Sequence, residues 1–210
     1  VHYYARGQFQ FETYALHQVN LINVKQKQVI ENQTIVINKD KIVGIYDSNK
    51  FIKSDSIQLL TFKGHYVIPG LIDAHVHLAT DLEEAKKQLN HLLLNGVTTV
   101  RDMAGDARIL NYLSRQASLD EIPSPDIYFS ALFAGESFFK DPRTKAAAQG
   151  MVAGNAPWMH SVNMSTDLNR LIAEAKGTGA TGIKVYADLD ENNILRIVQA
   201  AHAQQMKVWA

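Results

Sequence analysis

The sequence contains no cysteine. Disulfides and thiolate metal sites are thereby excluded, and any metal bound here must be held by His, Asp, Glu or a modified Lys. Neither sign of charge is in excess: Lys and Arg total 21, Asp and Glu total 21, and both are scattered along the chain. That balance leaves no basic face for nucleic acid or for an acidic membrane surface. No apolar run reaches the roughly 18 to 20 residues that cross a bilayer. Residues 1–6 lack the basic start and apolar stretch of a secretory signal. The expectation is a soluble protein, cytoplasmic or periplasmic, whose leader has been removed or trimmed away. Solenoid repeats and low-complexity tracts are missing too. A small-molecule substrate is the partner these absences leave, with no nucleic acid and no membrane.

What is present is enough apolar sequence for a real core, 46% of 210 residues. Its patterning changes partway along the chain. Residues 15–24, 34–37, 41–46 and 57–62 are short β-rich runs separated by turn signals at Asn38-Lys39-Asp40 and Asp47-Ser48-Asn49. They predict antiparallel strands in a small β-sandwich domain over 1–66. From 67 onward, short apolar runs alternate with stretches of helical period, the mark of βα units around a parallel sheet. Strands are expected at 66–68 with 70–78, then at 96–103, 126–132, 182–187 and 206–210. Helices are expected at 81–95, ended by Gly96, at 107–117, at 166–176 with Ser165 or Thr166 as cap, and at 190–205 capped by Asp190. Residues 135–163 form a connection longer than such units use, carrying Phe138, Phe139, Trp158 and His160. Pocket lining and a small core of the loop's own are both open to these aromatics; His160 is the best single candidate for a substrate contact, with Trp158 beside it. His65, His91 and His202 fall on a connection and on helices, and read as structural or solvent-exposed.

The sharpest feature is Pro69-Gly70-Leu71-Ile72-Asp73-Ala74-His75-Val76-His77-Leu78. Strand alternation puts Asp73, His75 and His77 on one face and Ile72, Ala74 and Val76 on the other. Two imidazoles two residues apart at the C-terminal end of an inward face can reach one divalent ion, at the end of a barrel where active sites lie. In Gly182-Ile183-Lys184-Val185-Tyr186 the same alternation turns Lys184 and Tyr186 inward. In Val100-Arg101-Asp102-Met103, Arg101 and Asp102 end the second strand. There Asp102 orients a ligand from behind, or the two serve as a structural ion pair.

Pro-Gly-Leu-Ile-Asp-x-His-x-His, behind a β-rich leader and opening a βα series, resembles the amidohydrolase superfamily. The run Gly96-Val97-Thr98-Thr99-Val100-Arg101-Asp102 resembles its imidazolonepropionase and Xaa-Pro dipeptidase-like branch. The resemblance implies an α/β fold, a (β/α)8 TIM-type barrel behind the small sandwich. It also implies one or two divalent metal ions, zinc first, with His75 and His77 as ligands. In the binuclear branch a fourth-strand lysine becomes a carbamate that bridges two metals, and Lys184 looks like that lysine. A free ammonium beside a dication is driven toward its neutral form, which reacts with carbon dioxide; a lysine reaching from a strand end to solvent is the plainer alternative. The implied chemistry is hydrolysis of an amide or other C–N bond in a dipeptide, N-acyl amino acid or cyclic amide. The family's remaining ligands, histidines ending strands five and six and an aspartate ending strand eight, have no counterpart here. A full barrel takes about 250 residues, so 67–210 is expected to be its first half, cut in the fifth strand. A mononuclear deaminase or imidazolonepropionase-type enzyme, and a fragment or binding module without turnover, are the alternatives; a homo-oligomer fits open strand edges.

Overall fold

The computed structural model describes residues 12–210 and divides the chain into two compact units at Pro69 and Gly70. The signal reading of residues 1–6 lies outside the described residues.

The first unit is one five-stranded sheet. Its strands are β1 (Thr13–Asn23), β2 (Gln28–Asn38), β3 (Lys41–Asp47), β4 (Ile57–Thr61) and β5 (Tyr66–Val67), in the order β3-β2-β1-β4 with β5 also on β1. The turn at Asn38-Lys39-Asp40 forms as expected, Lys39 taking φ 53° between paired Asn38 and Lys41. Three points depart from the sequence reading. Tyr66 and Val67, expected with the first strand of the second unit, pair with Asn20 and Leu21 of β1 here, because the chain joins this sheet once more before it leaves at Pro69. β2 begins at Gln28, six residues before the run seen in sequence; Glu31, Asn32 and Gln33 are consecutive polar residues, and Asn32 at φ 52° breaks the alternation in a first half that is largely exposed. And β4 and β5 lie parallel to β1, not antiparallel, since the segment after β3 returns the chain to the far edge of the sheet in the direction of β1.

The second unit is built of βα units. Strands β6 (Leu71–Val76), β7 (Val97–Met103), β8 (Asp126–Gly135), β11 (Gly182–Val185) and β12 (Lys207–Trp209) pair in parallel in that spatial order. Between them run α1 (Leu82–Leu94), α2 (Ala107–Ser118), α4 (Leu168–Gly177) and α5 (Glu191–Ala203). Each helix is started by an aspartate whose carboxylate accepts a first-turn N–H: Asp81, Asp106, Asp167 and Asp190. At α4 the cap is Asp167 and not Ser165 or Thr166, whose hydroxyls are engaged with Asn163 one turn earlier. The core lies between the helices and one face of the sheet. Val100, Ile127, Phe129, Ala131, Phe133, Ile183 and Val185 meet Leu89, Leu110, Leu113, Ile172 and Ile197 there. The other sheet face carries Thr99, Arg101, Tyr128, Lys184 and Trp209, a polar and aromatic set.

Residues 135–163 hold structure of their own: a 3-10 turn at Phe138–Lys140, α3 (Pro142–Ala147), β9 (Asn155–Ala156) and β10 (Met159–Val162). β10 pairs in parallel with the C-terminal half of β8, on the edge opposite β11, since Leu132 and Phe133 partner both strands.

Candidate active site

His75 and His77 share a side as residues two apart on a strand do, and an irregularity in β6 separates them from Asp73. Ile72 pairs with Thr99, Asp73 with Val100 and Val76 with Asp102, so three steps in β6 answer two in β7. The extra residue is a bulge, and it resets the alternation of side chains. Ile72 and Ala74 share a depression with Thr99, Arg101 and Trp209 on the open face of the sheet. Val76 packs beside Leu89 and Val100 on the helix side. His77, opposite Val76, lines a cavity of 460 Å³ together with Lys184. The rings of His75 and His77 lie 5.2 Å apart, edge to face. Strict alternation from Asp73 to His77 is therefore corrected: Asp73 stands beside Val100, and its Oδ1 accepts the N–H of His75 at 3.1 Å.

Asp102 is fully buried at the end of β7. Its Oδ2 accepts the N–H of Leu78 and its Oδ1 the N–H of Gly105, both at 2.7 Å. It thus fixes the backbone one residue beyond His77. Burial pushes its carboxyl up, and those two N–H donors with nearby His77 and Lys184 oppose the rise. Burial likewise pushes the His77 imidazole down against the attraction of Asp102, which favours a neutral ring with a free lone pair. Lys184 is only 7% exposed. Its Nζ donates to the carbonyl of Met103 at 3.3 Å and sits 4.5 Å from the centre of the Tyr186 ring. Burial pushes this amine down too, with Asp102 acting the other way. Tyr186 in turn meets Phe138 edge to face at 5.2 Å.

The remaining sequence candidates stand elsewhere. Arg101 braces the open face, its Nε donating to the carbonyl of Ala74 at 3.0 Å and its guanidinium lying 3.7 Å from the Trp209 ring centre. His160 and Trp158 are each 2% exposed and outside the cavity that holds His77. His160 donates through Nε2 to the carbonyl of Pro157 at 3.0 Å and packs on Phe133. Trp158 lies under Arg108, in the wall of a separate cavity beside Asn111 and Tyr112. For His160, β10 accounts for this: Met159 turns to the His77 cavity, so the next residue on the strand turns away.

Sequence reasoning passed over Asp141, Arg143 and Met159, which also line the cavity. A signal for the first two was present. Asp141-Pro142-Arg143 is a cap followed by proline at the first helical position, and α3 begins there. The turn that carries them is tied to the segment after β11: Ser137 donates to Asp188 at 2.6 Å, and Gly135 passes so close to the Asp188 carbonyl that no Cβ would fit.

His75 and His77 are nitrogen donors of the kind zinc takes, and Lys184, on β11 with β7 and β8 between, would add oxygen donors only as a carbamate; both positions lie toward the C-terminal ends of their parallel strands. Among the described residues no group of three or more His, Cys, Asp and Glu side chains converges for a metal ion. The fit is to part of a ligand set.

No family model matches the chain. It is 27% identical over 194 residues to an adenine deaminase of Geobacillus kaustophilus, covering 79% of this chain and 32% of that protein. A prolidase solved with N-methylphosphonate-L-proline shares the fold at TM-score 0.74 and 21% identity, covering 93% of this chain and 55% of that one. The ochratoxinase of A. niger does so at TM-score 0.72 and 19% identity, covering 95% and 55%. The chain thus spans about a third of the length of the deaminase and about half that of the two solved hydrolases. In sequence and in fold, this chain matches the N-terminal portion of proteins of the amidohydrolase superfamily.

Proposed function

We propose that the intact protein is a metal-dependent hydrolase of amide or related C–N bonds, built on a (β/α)8 barrel of which this chain supplies the first strands. The observation that carries the reading is the His75 and His77 pair at the end of β6, with His77 in one cavity with Lys184. His75 and His77 would hold the first divalent ion, zinc by donor type. When bound, the ion supplies an acidified water and polarises the carbonyl it faces. In the reaction the water oxygen bonds to the carbonyl carbon, the C–N bond breaks, and the leaving nitrogen takes a proton.

The chain's own residues prepare that step. Asp102 holds the backbone beside His77 from behind. Burial keeps the His77 lone pair available, and Met103 and Leu132 keep water from one side of the cavity. Lys184, its amine pushed toward neutrality, can bond through Nζ to carbon dioxide with loss of a proton. The carbamate so formed would offer two oxygens to a pair of ions. The small N-terminal sheet is read as part of a sandwich.

A second reading has its own support in the similarity to an adenine deaminase over most of the chain. There the bond cut joins an amino group to a purine ring, one ion suffices, and Lys184 is no ligand. A binding module without turnover is the third reading.

Elemental analysis of the intact protein, with assays against Xaa-Pro dipeptides and adenine, separates these. Two equivalents of zinc with peptide hydrolysis favour the first reading; one equivalent with ammonia release favours the second. His75→Ala should cost most of the bound metal and at least about 100-fold in turnover, more than losing an outer partner of a ligand does. Full metal content and turnover in that variant would sink the assignment.

A further inference from the structure

Two helices of the second unit open with the same device. Asp106-Ala107-Arg108 starts α2 and Asp141-Pro142-Arg143 starts α3. In each the aspartate caps the helix and also receives the guanidinium of the arginine two residues on, through Nε and Nη2, with Nη2 to Oδ2 at 2.6 Å in both. The Asp141 carboxylate is thereby taken up: the backbone N–H, Nε and Nη2 of Arg143 all point at it. What the pair still offers is donors, on Nη1 and on the outer hydrogen of Nη2.

At α2 the protein uses that capacity itself. Arg108 Nη2 also donates to the carbonyl of Gln149 at 3.1 Å, and its guanidinium lies over Trp158 at 4.9 Å. At α3 no acceptor among the described residues takes it. The Arg143 side chain is 89% exposed and lines the cavity that holds His77 and Lys184. An arginine forked onto its own cap is held in one orientation. A planar fork with spare parallel donors matches a carboxylate better than any neutral group. The same cavity is lined by the apolar side chains of Met103, Leu132, Phe138 and Met159. At 460 Å³ the space suits a small ligand.

We infer that Arg143 is the specificity-determining residue of this site, and that its substrates are amides bearing a free carboxylate. The carboxylate meets Arg143, the apolar body lies on Met103 and Phe138, and the scissile bond faces His77 and Lys184. This rests on the hydrolase reading above. It goes beyond it in assigning Arg143 a task and in excluding neutral amides as good substrates.

The test uses two probes that differ at one group, an Xaa-Pro dipeptide and its C-terminal carboxamide, with the intact protein and its Arg143→Gln and Arg143→Lys variants. Calorimetric titration reads binding, and kcat and KM are measured wherever turnover occurs. The wild type should bind the carboxylate probe about tenfold or more tightly than the carboxamide, as expected for a charge-assisted pair. Arg143→Gln should erase that preference, with the change falling in KM. Arg143→Lys should keep part of it, having the charge without the fork. Equal binding of the two probes by the wild type, or a preference surviving in Arg143→Gln, overturns the inference. Carboxylate-selective binding lost in Arg143→Gln without any turnover upholds it while telling against the hydrolase reading, so the two can fail separately.

Discussion

A histidine that is 2% exposed and donates to a backbone carbonyl is a packed residue that titrates at a cost. Burial pushes the His160 imidazole below its ordinary value, with the Pro157 carbonyl and Glu174 opposing and Arg170 adding to the fall. The unfolded chain therefore takes up a proton near pH 6.5 that the folded chain refuses until lower pH. Its contribution to stability is complete above that value and is lost as pH falls through it. Urea unfolding from pH 7.5 down to 5.5 should show wild-type stability declining more steeply than that of His160→Gln, by up to about 1.4 kcal/mol per pH unit. Parallel profiles would show that this ring does not titrate differently in the two states. At the same scale, Lys184 and His77 share a cavity but are drawn toward neutrality for the same reason, burial. That is the condition in which each donates a lone pair.

Among the elements, the aspartate caps are the clearest case of one residue type serving different ends. Asp106 is almost fully buried and takes both the first-turn N–H of α2 and the guanidinium of Arg108. Asp141 makes the same bonds at a six-residue helix open to solvent. Asp106→Ala should cost about 1 to 2 kcal/mol, the upper range of a lost cap, and Asp141→Ala clearly less. Chemical denaturation of the two variants checks the order, and equal losses would mean that burial of the Asp106 pair contributes nothing. The bulge in β6 belongs to this scale as well. Without its extra residue, one strand could not turn both Ile72 and His77 away from the helices.

For the whole molecule, the open face and the edges of the sheet matter most. Among the described residues β6 and β12 each pair along one edge only. Between them the face carries Ile72 at 70% and Tyr128 at 48% exposure. Unpaired strand edges beside exposed apolar side chains invite another chain. The 210-residue chain by itself should therefore associate on concentration. Sedimentation velocity over a dilution series should show species heavier than a monomer at the concentrated end, and a monomer throughout would refute this.

Much of this was legible along the chain. The five parallel strands of the second unit and the four helices between them, Asp190 as a cap, and the pair His75 and His77 follow from period, end signals and spacing, all carried by residues within a few positions of one another. The strand at Gln28 was not legible, because the consecutive polar residues Glu31, Asn32 and Gln33 interrupt any alternation in its largely exposed first half. Nor was the parallel pairing of β4, which depends on where a connection returns. The helix in the connection after β8 was missed although Asp141-Pro142 announces it. Spacing by itself determined that two imidazoles and a lysine lie near the C-terminal ends of parallel strands. Only the tertiary structure decided which residues join them. A single extra residue in β6 reverses the side of everything before it, and the pairing of β10 with β8 turns Met159 toward the cavity and His160 into the core. Those choices are made by contacts between residues tens of positions apart, where local propensity is silent.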